Sequence, residues 1–150
     1  MDEWRTRAIA MFPGRAAEFA DVEETGNGFA VFFCLLMDWQ SAAGTNDEGA
    51  ARKIIEYADW ARGGAGGSSL AAAADAAFLE HIADDDHGLA LAERLFPSEL
   101  YERAMSCSAA LKRNVAGWGD RLATSQERYR GMRRPSGRSL SSDSEQPSAT

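Results

Sequence analysis

Two histidines, His81 and His87, bracket Asp84-Asp85-Asp86 and form the densest group of possible ligands in the chain. Imidazole and carboxylate side chains are the donors of zinc sites and the working groups of general acid–base catalysis. If one helix ran through the segment, His81 and Asp85 would share a face at i, i+4. Two ligands do not make a zinc site, and the chain has no third histidine. Acidic residues followed by Gly88 are also ordinary material for a helix end. Three aspartates at a helix C-terminus would oppose its macrodipole, so the helix is expected to stop before them. Asp84, Asp85, Asp86 and His87 are therefore read first as an interaction surface, with a metal-binding or hydrolytic segment as the alternative.

Other candidates for chemistry are thinner. Gly63-Gly64-Ala65-Gly66-Gly67 lacks the preceding strand and the following Lys of a phosphate loop, and reads as a flexible connector. Cys34 lies in an apolar run, where burial raises a thiol pKa rather than lowering it. Cys107 falls on the apolar stripe of a helix, so both are expected as buried, reduced thiols. Asp21, Glu23 and Glu24, like Asp47 and Glu48, sit near helix ends and read as solvated. The aromatics Trp39, Tyr57, Trp60, Tyr101 and Trp118 suit a helical core better than a binding face. No catalytic residue, cofactor site or metal ligand is assigned.

The elements that must position these residues are helical. Ala occupies 28 of 150 positions and Pro only 4, a balance that favours helices over sheets. Helices are expected from Glu3 to Phe12, from Pro13 to about Glu24, and from Phe29 to Ala43. The last of these is apolar nearly all round, which predicts a helix surrounded by others. Thr45-Asn46-Asp47-Glu48 reads as a capping box. It opens a helix with Ala51, Ile54, Ile55, Ala58 and Ala61 on one face. Ser68 or Ser69 caps the next, which carries Leu70, Ala74, Ala77, Phe78 and Ile82. A short helix from Leu89 to Leu95 and a long one with the stripe Leu100, Ala104, Cys107, Leu111, Val115 and Trp118 follow. The expected fold is all-α: six or seven helices in an irregular bundle or a short HEAT-like stack of antiparallel pairs, one pair spanning 45–83 and another 89–117. Phe32, Leu35, Leu36, Ile54, Ile55, Phe78, Ile82 and Leu111 are its expected core.

Charge divides the chain into an acidic helical domain, 1–122, and a basic, then Ser-rich and disordered tail, 123–150. Residues 1–120 carry 10 basic and 20 acidic side chains, while residues 121–150 carry 6 basic and 3 acidic. An acidic body argues against nucleic-acid binding, which needs Lys and Arg to neutralise phosphates. The longest apolar run, Phe29 to Met37, is too short to span a membrane. No secretory signal is visible at Met1-Asp2-Glu3-Trp4-Arg5, and unpaired cysteines fit a cytoplasmic setting. The 14 Arg against 2 Lys, with abundant Ala and Gly, fit a GC-rich coding sequence.

Several segments carry a resemblance: Met11-Phe12-Pro13-Gly14, the glycine before Phe29-Ala30-Val31-Phe32, Ile54-Ile55-Glu56-Tyr57, and Ala77-Phe78-Leu79-Glu80-His81-Ile82 with its acidic continuation. Over about residues 5–115 the chain resembles a family of small bacterial domains of unknown function. Members are all-helical, and some resemble immunity proteins found near polymorphic toxins. The resemblance implies an all-helical fold and no catalytic residue. With the acidic body, it leads to the expectation of a non-catalytic interaction domain that binds a basic protein. The alternatives are a helical enzyme using the His81–His87 segment, and a scaffold or regulatory module whose basic tail touches another surface.

Overall fold

The structure, a computed structural model, describes residues 2–22 and 28–134. Among these there is no strand, and eight α-helices follow one another: α1 Glu3–Met11, α2 Ala16–Asp21, α3 Phe29–Thr45, α4 Glu48–Arg62, α5 Ser68–Ala77, α6 Asp86–Leu95, α7 Ser98–Leu111 and α8 Trp118–Arg133. Two 3-10 segments, Pro13–Arg15 and Leu79–Asp84, complete the set. The expected count of six or seven falls short because α8 was not foreseen.

α3 is the hub, packing against α4, α5 and α6, while α1 reaches α2 and α4. Through the centre runs a continuous chain of aromatic rings. Phe19 meets Phe12, Phe12 meets Tyr57, Tyr57 meets Phe32, and Phe32 meets Phe78, which touches both Trp39 and Phe96. Offset and edge-on contacts of this kind add to the area each ring buries. The two polar tips in the chain are satisfied: the Tyr57 hydroxyl donates to the Trp4 carbonyl at 2.9 Å, and the Trp39 indole donates to the Gly88 carbonyl at 3.1 Å. Tyr57, Trp39 and Tyr101 are thus core residues, as expected, with Trp60 and Trp118 half-buried beside them.

Helix ends explain several departures from the sequence reading. Asn46 adopts φ 55° and terminates α3 with Thr45 still inside it. The Thr45 hydroxyl donates back to the Ser41 carbonyl, and Asp47 caps α4 by accepting from the Ala50 amide at 3.1 Å. The capping box at Thr45 is therefore replaced by an Asp cap two residues later. Ser68 begins α5 as a helical residue and Gly67, at φ 97°, precedes it. Nor is the glycine-rich connector loose packing material. A Cβ at Gly66 would lie 2.3 Å from Leu70 Cδ2 and 3.1 Å from the Trp60 ring, so the backbone is seated against both.

The helix expected to run from Leu100 to Trp118 ends at Leu111. Residues 112–117 turn, Gly117 takes φ 77°, and α8 begins. Leu111 and Val115, expected on a buried stripe, are exposed for this reason, and Ile55 is only partly buried. The pairing expected over 89–117 also changes. α7 packs mainly on Leu79–Asp84 and α5, while α6 packs on α3 and α8. Phe96, extended at φ −68°, ψ 134°, and Pro97 after it redirect the chain between α6 and α7.

The domain boundary expected at residue 122 falls inside α8. This helix buries little apolar surface, mainly Leu122 and Tyr129, and is held by polar contacts instead. Glu93 on α6 is 1% exposed; it accepts two hydrogen bonds from Arg128, at 2.7 Å each, and one from Ser125 at 2.7 Å. Tyr101 closes the network by donating to Ser125 at 2.6 Å. Tyr129 stacks on Tyr101 at 3.8 Å and donates to the Phe96 carbonyl, and Arg121 donates twice to the Ala83 carbonyl. The remainder of the expected tail, 135–150, lies outside the described residues.

Candidate functional site

The acidic segment singled out in the sequence folds into structural duties. Because Leu79–Asp84 winds as a 3-10 helix, His81 meets the residue three ahead of it, not four. Its Nδ1 lies 2.9 Å from Asp84 Oδ2, and the other oxygen of Asp84 accepts from Lys112. Asp85 is extended and caps α6, accepting from the Gly88 amide at 2.7 Å. Asp86 lies in the first turn of α6, where its charge favours the helix dipole, and it pairs with Arg121 at 2.7 Å. His87 stands exposed one residue further on. The suggested pair of ligands, His81 and Asp85, is thus split between two different partners. Among the described residues no group of three or more His, Cys, Asp or Glu side chains could hold a metal ion. As a possible interaction surface, Asp84 and Asp85 are committed within the fold, and Asp86 and His87 remain at its edge.

Both thiols are deactivated. Burial is the first cause that pushes Cys34 above the usual thiol range, against the opposing pull of Arg15. Burial likewise pushes Cys107 up to about 11. Cys34 is half-buried, not fully enclosed as expected, with the Glu18 carboxylate 3.8 Å from its sulfur.

An open cleft of about 620 Å³ lies where the chain's start meets α3 and α4, with Met11, Phe12 and Ile54 among its apolar walls. Arg15 and Asp38 at its rim bind each other through two hydrogen bonds of 2.6 Å. That pairing turns the two groups towards each other instead of towards a ligand.

The unexpected surface lies on α3. Val31, Phe32, Leu35, Leu36, Trp39 and Ala42 make its buried face. On the opposite side Phe29, Phe33 and Met37 stand in solvent at 47%, 53% and 53% exposure. Their spacing of four residues aligns them in one row. The helix expected to be enclosed by others is therefore covered on one side only. The nine residues from Phe29 to Met37 include Val31, Phe32, Leu35 and Leu36, so the run looks uniformly apolar and hides the fact that its two faces differ in burial. On the α2 side of the row Glu18 reaches to 3.8 Å from Cys34 Sγ, and Asp21 is exposed one turn further along α2. Arg15, on the same flank, is tied to Asp38 and Glu18.

Compared with known proteins, the chain matches no protein-family model, no curated protein and no solved structure. Among the described residues no helix is long and apolar enough to cross a membrane.

Proposed function

We propose that this chain is a non-catalytic protein-interaction domain, of the immunity-like kind its sequence resembles, which docks a basic partner through the exposed face of α3. The observation that carries this reading is the row Phe29, Phe33 and Met37, three large apolar side chains standing in solvent on one helix. Single exposed apolar residues are normal on a protein surface, whereas contiguous ones mark interaction faces. The acidic excess of residues 1–120 supports a basic partner, since complementary charge speeds encounter. The chemistry-bearing side chains lend support in a second way. Asp84 binds Lys112, Asp85 caps α6 and Glu93 fastens α8, which leaves these carboxylates with structural work and the α3 face without any.

The test is affinity capture by the immobilised full chain from a lysate of its source cell, at roughly 50 mM and roughly 500 mM salt, because screening at the higher value removes long-range attraction. The expected result is a basic protein retained at low salt, reduced at high salt and lost with Phe33→Asp. Retention that ignores Phe33→Asp would contradict the assignment of the face. A stoichiometric transition metal in the purified, untagged protein, lost in His81→Ala, would replace the reading with the metal-binding alternative.

A further inference from the structure

The geometry points to one kind of occupant for the α3 face, and we propose that it is a single amphipathic helix whose apolar side is edged by lysine or arginine. This rests on the interaction reading above and names the chemistry of the partner. Phe29, Phe33 and Met37 form an i, i+4, i+8 row about 12 Å long, as eight residues of helix dictate. Rows of this spacing are the ridges that fit the grooves of a second helix. The ridge has low shoulders: Ala30 and Ser41 are exposed and small, and Gly44 has open space where a side chain would be.

Charge selects the edge of that helix. Glu18 is 58% exposed and reaches the sulfur of Cys34 beside the row, Asp21 is exposed one turn further along α2, and the single cation there among the described residues, Arg15, is shared between Glu18 and Asp38, so carboxylates outnumber cations on this flank. A helix lying on the ridge meets this acidic flank along one side, so cations there gain and carboxylates lose. A second copy of the chain paired antiparallel fits less well. Antiparallel pairing of two α3 helices about a twofold axis puts both α2 flanks on the same side, setting Glu18 and Asp21 against their own counterparts. An anionic lipid surface would meet the same repulsion from the acidic flank.

The probe is a synthetic helix of leucine and lysine with leucine at i, i+3, i+4 and i+7, compared with a counterpart carrying glutamate for lysine. Binding to the full chain is read by fluorescence anisotropy. The lysine helix is expected to bind at least about tenfold more tightly than the glutamate helix, and Glu18→Gln with Asp21→Asn to narrow that difference several-fold. Phe33→Asp is the sharper arm, because it adds a negative charge and still should weaken the lysine helix about tenfold. Met37→Asp serves as the second variant, with circular dichroism confirming that both remain helical. Equal binding of the two probes, or no effect of either ridge variant, overturns the proposal. So does a dimer that Phe33→Asp dissolves, or binding of the chain to vesicles of anionic lipid. If the probe fails while a captured protein is still lost with Phe33→Asp, the helical partner falls and the interaction reading stands. If no protein is captured either, both fall.

Discussion

Phe32 and Phe33 are neighbours in the chain and opposites in the fold. Phe32 is fully buried and touches both Tyr57 and Phe78, whereas Phe33 faces solvent. Truncating the first leaves a cavity among rings, so Phe32→Ala is expected to cost about 3–5 kcal/mol in a denaturant titration. Truncating the second removes little packing, and Phe33→Ala should change stability by no more than about 0.5 kcal/mol. Similar losses at both would mean that the faces of α3 have been reversed. Cys107 gives a residue-scale prediction in pH. Burial favours its neutral thiol, holding the pKa at about 11 against an ordinary 9.0. A raised folded-state pKa contributes stability that is whole below the unfolded value and is lost as pH climbs through the folded one. Alkylation of Cys107 in the native protein should therefore stay slow at pH 9 and accelerate towards 11, with stability declining over the same interval. Rapid labelling at pH 8 would contradict its burial.

At the scale of elements, α8 is the most informative. It is fastened by the buried carboxylate of Glu93 and the tyrosine pair rather than by an apolar stripe. Arg128→Ala would leave Glu93 with Ser125 alone, a cost of about 1–3 kcal/mol, less than for a fully enclosed ion pair because Arg128 is half exposed. Hydrogen exchange should rise along α8 and leave α3 protected; uniform acceleration through the molecule would mean that α8 is part of the main cooperative unit. Ending the chain at Leu122 should destabilise it measurably against a chain ending at Arg134. The same helix shows why the sequence was only partly legible. Apolar periodicity announces α4, where Ala51, Ile54, Ala58 and Ala61 line one buried face. It is silent about α8, whose anchors are Ser125, Arg128 and Tyr129. Those residues read as a basic tail until a partner on α6 is known. Periodicity also overreached in α3, since an apolar residue looks the same in sequence whether a neighbouring helix covers it or not. In the His81–Asp86 segment the residue types were visible but the 3-10 winding that assigns their partners was not.

At the scale of the whole molecule, the described residues join an aromatic interior to a surface that carries the bare apolar ridge of α3. The ring contacts from Phe19 to Phe96 tie α2, α3, α4 and the Phe78 turn into one body, so the ridge is presented on a fixed frame. Methionine oxidation tests the central claim most directly, because two exposed methionines serve as reporter and control. Met37 stands on the ridge at 53% exposure and Met132 on α8 at 48%, so both should be oxidised at comparable rates in the free protein. With the captured partner bound, footprinting by hydroxyl radicals should protect Met37 at least about tenfold and leave Met132 unchanged, as expected when a side chain enters a desolvated contact. Protection of Met132 with Met37 still reactive would place the interface elsewhere and contradict the account.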